Sequence, residues 1–262
     1  MIQNFDINSK QIDKIKKITS EEKNFRVKNL ELFKAAGFPN KKIEDWKFSD
    51  LKNIISKNFN KLDVKKVKSN INKINLLQDF EHNFILLVNG TLQSSSFEHE
   101  NKKKIKLTPN SNDINYKTSA NPLVCLNHAL SENGYSLEIE KDYKFKKILV
   151  IYNFFTKDLK NKILNSKNKI RIKENSEMHI IEYTINESKF INNVYENIDL
   201  EKDSKLKNIY IQSKKSEGYF HKFLKNKLYS NSDYTRNIIR ELGSSFHTFT
   251  IFLACVVYKN DR

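Results

Sequence analysis

The chain has only two cysteines, Cys125 and Cys255, among its 262 residues. Two thiols make no disulfide framework and point to a reducing compartment. The longest apolar run, Ile251–Tyr258, falls far short of the ~20 residues a membrane helix needs. The N-terminus, Met1-Ile2-Gln3-Asn4-Phe5-Asp6, has neither the basic region nor the apolar stretch of a secretory signal. Five glycines in all include no Walker-type phosphate loop, so ATP hydrolysis by that route is excluded. The expectation is a soluble cytoplasmic protein, large enough for one big domain or two smaller ones.

Charge is the opposite case. Lys and Arg number 47 against 31 Asp and Glu, a formal net charge of +16. Such an excess admits an anionic partner, nucleic acid or lipid. Lysine and asparagine are spread along the whole chain, however, and arginine is scarce. Neither nucleic-acid binding nor a membrane role is therefore the expected function.

A repeat organises the second half. Ile170-Arg171-Ile172 leads through Glu174-Asn175-Ser176 to Met178-His179-Ile180. Ile198-Asp199-Leu200 leads through Lys202-Asp203-Ser204 to Leu206-Lys207-Asn208-Ile209. Lys227-Leu228-Tyr229 leads through Ser230-Asn231-Ser232 to Tyr234. The serines at 176, 204 and 232 are 28 residues apart. Each copy reads as strand, polar turn, strand, because Asn and Asp bond their own backbone and tolerate left-handed geometry. A fixed period in this range marks a stacked architecture. With two strands per period, the expected fold is a parallel β-helix, and a β-sandwich with coincidental spacing is the alternative. The 28-residue step carries His179 to Lys207 and then to Thr235, so no histidine column is expected.

Residues 1–60 read as helical. Ile12, Ile15 and Ile18 form a narrow apolar stripe. Thr19-Ser20-Glu21-Glu22 fits a capping box. Leu30, Phe33 and Ala36 face a core, and Gly37 with Phe38-Pro39 stops the helix, Phe33 meeting Phe38. A loop follows that carries Trp46, the only tryptophan, and then a short helix from Asp50 to Asn58. The neighbouring carboxylates Glu44 and Asp45 point apart in such a loop and read as solvated or salt-bridged. Residues 60–80 read as a linker. Phe84–Val88 is a buried strand, Asn89-Gly90 a hairpin turn, and Ser94 to Lys104 a loop.

Asn121 caps a helix with Pro122 at its first position, and Gly134 is the expected stop. Cys125 and His128 share one side of that helix. A structural zinc site needs four protein ligands, and nothing nearby completes a set. They read as a core cysteine and a partly exposed histidine. No catalytic, cofactor-binding or metal-ligating residue is assigned among these or His82, His99, His179, His221 and His247. Of these, His221 stands near the start of a rung.

The stretch Gly37-Phe38-Pro39, Glu44, Trp46-Lys47-Phe48 and Leu51 resembles the N-terminal signature of the SufB/SufD family of iron–sulfur cluster assembly proteins, and is most similar to its SufD branch. The variable linker, the Asn-Gly hairpin, the helix before the strands and the repeating rungs follow the family's order over roughly residues 20–245. The resemblance implies a right-handed parallel β-helix. It also implies a non-enzymatic scaffold in a SufBCD complex, with SufB-like and SufC-like ATPase partners, helping to channel iron or persulfide sulfur into a nascent cluster. A cluster commonly takes four thiolates, so any cluster would be shared with a partner.

The expected organisation is a helical segment (1–60), then linker, hairpin and short helix (61–135), the β-helix (136–245), and an apolar tail (246–262). Family members continue the β-helix and end in a helical segment. The chain therefore reads as an N-terminal part with its solenoid incomplete at the C-terminus. Two other readings are a β-helix enzyme acting on polysaccharide, which lacks its usual carboxylate clusters and export signal here, and a basic nucleic-acid-binding module.

Overall fold

Left-handed asparagine and aspartate residues turn the corners of a strand-built solenoid. A computed structural model describes residues 7–16, 18–47, 50–64, 76–109, 119–212, 218–240 and 249–258. Asp142, Asn175, Asp203 and Asn231 take φ values of 56°, 54°, 55° and 55°. Each amide of the first three donates to the next rung, Asp142 to Glu174 O, Asn175 to Lys202 O and Asp203 to Ser230 O, at 3.0 Å each. The three serines stack as the spacing requires. Lys205 N–H donates to Ser176 O and Asp233 N–H to Ser204 O, both at 2.9 Å. Their hydroxyls close the turn: Ser204 Oγ donates to Glu201 O at 2.6 Å and Ser232 Oγ to Tyr229 O at 2.7 Å. The Asp142 corner lies 33 residues before Asn175, outside the 28-residue step, and so escapes the repeat.

The strands are β1 (Asn83–Val88), β2 (Thr91–Ser96), β3 (Ile105–Pro109), β4 (Asn133–Ile139), β5 (Leu149–Phe155), β6 (Ile163–Ile172), β7 (Glu177–Asn186), β8 (Ile191–Leu200), β9 (Lys205–Gln212), β10 (Tyr219–Leu228), β11 (Asp233–Arg240) and β12 (Phe249–Tyr258). They form two parallel columns, β1-β5-β7-β9-β11 and β4-β6-β8-β10-β12, bridged by β2. The chain is mainly β, a parallel β-solenoid of about three turns with a few N-terminal helices. The register bears out the period: Ile163, Ile191 and Tyr219 stand side by side, as do His179, Lys207 and Thr235. The apolar run after Gly243 continues the second column, Phe249–Tyr258 lying parallel to Tyr219–Leu228.

Strand side chains alternate, and one parity faces inward. Ile85, Leu137, Ile139, Leu149, Ile151, Ile170, Ile172, Met178, Ile180, Ile198, Leu200 and Leu206 meet in a buried cluster between the columns. Each such side chain contributes roughly 1.5–3 kcal/mol on burial.

The helices are α1 (Lys10–Asp13), α2 (Ser20–Ala36), α3 (Leu51–Asn58) and α4 (Pro122–Leu130). Thr19 Oγ1 accepts from Glu22 N–H at 3.1 Å. The other half of the expected capping box is absent, because the Glu22 carboxylate accepts from Arg26 Nε at 2.8 Å. Gly37 has φ +69°, its N–H donates to Phe33 O at 2.7 Å, and Phe33 meets Phe38 edge-on at 5.3 Å. Asp50 caps α3 through Asn53 N–H. The isoleucine stripe does not make one helix: α1 is a single turn around buried Ile12, and Ile18, beyond its end, packs against the same core cluster.

Two more expectations are corrected. Ser94–Ser96 belong to β2, and β3 follows a 3-10 turn at Lys102–Lys104, where a loop was expected. Helix α4 ends at Leu130 and Gly134 lies in β4. Gly134 is needed there for another reason. Its φ is +126°, and a Cβ would stand 1.8 Å from Lys167 O on β6. Gly134→Ala therefore forces backbone apart in the first rung, and a loss above about 3 kcal/mol is expected. Urea denaturation measures it; a midpoint within error of wild type would show that the rung can yield.

Candidate functional site

Between the two columns the apolar layer gives way to a polar one. Glu182 (β7), Glu196 (β8), Lys222 (β10) and Arg236 (β11) point inward on the same parity as the isoleucines. Lys222 Nζ donates to Glu182 Oε2 at 2.6 Å and to both Glu196 oxygens at 3.2 Å. Arg236 Nη2 donates to Glu182 Oε1 at 3.0 Å and Nη1 to Glu196 Oε2 at 3.2 Å. Asn208 Nδ2 adds a bond to Glu182 at 2.8 Å. Each cation thus touches each carboxylate, and two charges of each sign balance. Burial opposes ionisation of Glu182, but the charges of Lys222 and Arg236 and the bonds from Lys222 and Asn208 outweigh it and hold its pKa down at about 2. A cavity of about 30 Å³ adjoins the quartet, with Ser166, Asn168, Thr184 and Asn192 as well as Leu87 and Phe220 in its lining. That is room for about one or two waters.

A second polar layer lies outside the β6-β8-β10 sheet, beneath the helices. Asn193 Nδ2 donates to Leu123 O and Asn165 Oδ1 at 2.8 Å each, which leaves its Oδ1 to accept from His221 Nδ1 at 2.8 Å. The His221 ring stacks on Trp46, centroids 5.6 Å apart and planes 28° apart. Burial lowers its pKa to about 3, so it stays neutral. Arg26 reaches from α2 to close α4, Nη1 donating to Ala129 O and Ser131 O at 3.1 Å. Asn127 Nδ2 donates to Ser166 O and Asn193 O. The same layer holds Lys167, whose pKa falls to about 7 through burial and then the nearby Arg26.

The sequence candidates do not converge on a reaction centre. Cys125 is buried, and its thiol donates to Ser119 O at 3.1 Å. Burial pushes that thiol up, away from the reactive thiolate. His128, expected to be partly exposed, is buried between Phe25 and Tyr195, with its pKa lowered to about 3 by burial and by the charges of Lys167, Lys225 and Arg26. His82 bonds Tyr152 and Phe80 O. His99 is half-buried, and His179 is half-exposed at 3.3 Å from Glu177. Glu44 pairs with Lys47 at 2.8 Å on the surface. Phe48, His247 and the side chains of Asp45 and Cys255 lie outside the described residues. Among the described residues, no group of three or more His, Cys, Asp or Glu is placed to hold a metal ion, and no helix is long and apolar enough to cross a membrane.

The family of the SufBD protein N-terminal region matches residues 2–151, more than half of the chain. The chain belongs to the SufB/SufD family. The match takes in the Trp46 loop, the hairpin and α4, and ends in β5. It does not separate SufB from SufD. SufB/SufD proteins serve iron–sulfur cluster assembly. No curated protein matches the chain.

Sequence reasoning missed the ionic quartet, although parity carried the signal. Glu196 is two residues before Ile198, and Lys222 is six before Leu228, so both share the inward face. Glu182→Gln leaves two buried cations with one carboxylate, and a loss of about 3–5 kcal/mol is expected. Exchanging Glu182 and Lys222 together for Leu and Met should cost less. Urea denaturation compares the two, and equal losses would show that charge pairing is not what the interior depends on.

Acid acts in one direction. His128 and His221 bind protons more readily unfolded, so their stability is complete above about pH 6.5 and is lost as pH falls towards 3. Glu182 adds a loss between about 4.5 and 2. Stability should drop by up to about 1.4 kcal/mol per pH unit for each histidine. His128→Phe should flatten the curve between pH 6.5 and 4; an unchanged slope would rule out its burial as the cause.

Proposed function

We propose that this chain is a SufD-like, non-enzymatic scaffold of the iron–sulfur assembly machinery, working with SufB-like and SufC-like ATPase subunits in the cytoplasm. The observation that carries this reading is the seating of the family signature. Trp46, within the matched residues, is 1% exposed and stacks on His221 of β10, beyond them. The N-terminal segment is thus clamped to the solenoid, as a rigid scaffold requires. The buried and neutral His128 and His221 and the self-paired quartet favour holding a shape over acid–base chemistry. An iron–sulfur cluster is cargo in this reading, and with Cys125 committed to Ser119 O its thiolates are proposed to come from a partner. The complete gene product, co-expressed with SufB-like and SufC-like subunits of its source, should co-purify with both. Retention of neither subunit would overturn the proposal, and self-association with SufC alone would favour a SufB-like role.

A further inference from the structure

Lysines that are scattered along the sequence meet at one corner of the fold. Lys102, Lys103 and Lys104 form the 3-10 turn before β3, and Lys106 lies on β3. Lys141, Lys144 and Lys146 belong to the loop from β4 to β5. One backbone bond and two bonds that involve side chains hold the two segments together. Glu140 N–H donates to Lys104 O at 2.9 Å, Lys104 Nζ to Lys141 O at 3.1 Å, and Asn101 N–H to Tyr143 Oη at 2.7 Å. Glu100 ties the base of the corner. Its Oε1 accepts from Asn83 Nδ2, Lys146 N–H and Lys147 N–H, and its Oε2 from Tyr143 Oη at 2.6 Å.

The carboxylates nearby are spent. Glu138 and Glu140 are shared by Arg171 and Lys173, and Glu81 pairs with Lys147. Glu98 and Asp142 lie within the two segments, and Glu174 and Glu177 of the next rung adjoin Asp142 and Lys144, so the seven lysines still outnumber the carboxylates that face them. Six of the seven are exposed, and Lys104 is half-buried. Two outward columns alternate in sign across the rungs, Glu177-Lys205-Asp233 and Arg171-Asp199-Lys227. The corner is thus a local excess of positive charge and not only the chain's average.

We infer that this lysine corner, formed by residues 102–106 and 141–146, is a docking surface for an acidic segment of a partner protein. Lysine is a hydrated point charge without the planar fork that grips phosphate. Arg171, which reaches Glu138 of β4, is held by Glu201 at 2.6 Å. Of the described rings in these segments, Tyr143 is bonded to Glu100 and Phe145 packs edge-on against Phe97 and Tyr143, so neither is free to stack on a base. Ile105 and Leu107 are partly buried against the interior cluster, so β3 presents no apolar wedge to a bilayer. Among the described residues β3 pairs with β4 alone. Lys106 on that edge discourages indiscriminate strand pairing and admits an acidic strand.

The test uses the full chain with three probes: poly-L-glutamate, a short DNA duplex, and vesicles containing phosphatidylserine. One variant carries Lys102→Glu, Lys103→Glu, Lys141→Glu and Lys144→Glu. A second has the same net charge from Lys28→Glu, Lys34→Glu, Lys52→Glu and Lys57→Glu on the helices. The corner variant should lose at least about tenfold in poly-L-glutamate affinity and flatten its salt dependence, the helix variant no more than about threefold. Equal losses would assign binding to net charge and overturn the inference. So would tighter binding of DNA or vesicles, or no binding by the native chain at low salt.

Discussion

The register between rungs is the constraint on which the rest of the structure depends. A strand shifted by one residue would turn its whole inward set to solvent. Here the corner fixes that register twice. A left-handed Asn or Asp sends its N–H to the next rung, and the serine after it in the repeating rungs closes the turn with its hydroxyl. Asn and Asp take this geometry at smaller cost than other residues with a Cβ, and their side chains can bond locally. Asn175 Nδ2 even donates to Asp142 Oδ1 of the preceding rung at 3.0 Å. Order in the column of corners is thereby transmitted to both sheets.

Once register is set, parity decides what each strand contributes. Near the Asn and Asp corner the inward positions hold Ile, Leu and Met, and burial alone stabilises the stack. Further along the same strands they hold Glu182, Glu196, Lys222 and Arg236. Removing four charges from water is costly, and their mutual attraction offsets this only with the reciprocal geometry seen here. The polar layer therefore adds little net stability, but it penalises any shift that would separate a carboxylate from its cations. Hydrophobic burial supplies affinity between rungs, and the ionic layer supplies discrimination between registers.

The sequence was legible where chemistry is local or periodic. Thr19, Gly37, Asp50 and Asn121 do what their residue types dictate, because each satisfies a neighbouring backbone group, and Asn89-Gly90 turns the hairpin because both residues take positive φ. The serine period exposed the solenoid because three successive rungs have equal length. The Asp142 corner was hidden by a rung of different length, and β3 by a lysine-rich stretch that looks like a loop. Gly134 resembled a helix stop, but its need for a hydrogen in place of Cβ comes from Lys167 O, 33 residues away in sequence. The quartet and the lysine corner share that cause: their members lie on different strands or loops, and only the folded register brings them together.

The helical segment answers a problem that the solenoid creates for itself. The outer face of β6, β8 and β10 carries Asn165, Asn193, His221 and Lys167, side chains suited to water. Covering them with α2, α4 and the Trp46 turn would be destabilising if their polar atoms were left unpaired. Much of that need is met by backbone carbonyls and amides: Asn193 takes Leu123 O, Asn127 takes Ser166 O and Asn193 O, and Arg26 takes the last carbonyls of α4. These bonds are directional, so the segment can seat in one way. An apolar seam of equal area would hold the helices but would tolerate sliding. A family signature in the N-terminal segment thus has a physical basis without any catalytic role. It specifies how a helical cap is keyed to rungs formed much later in the chain, and Trp46 against His221 is the point at which the two are matched.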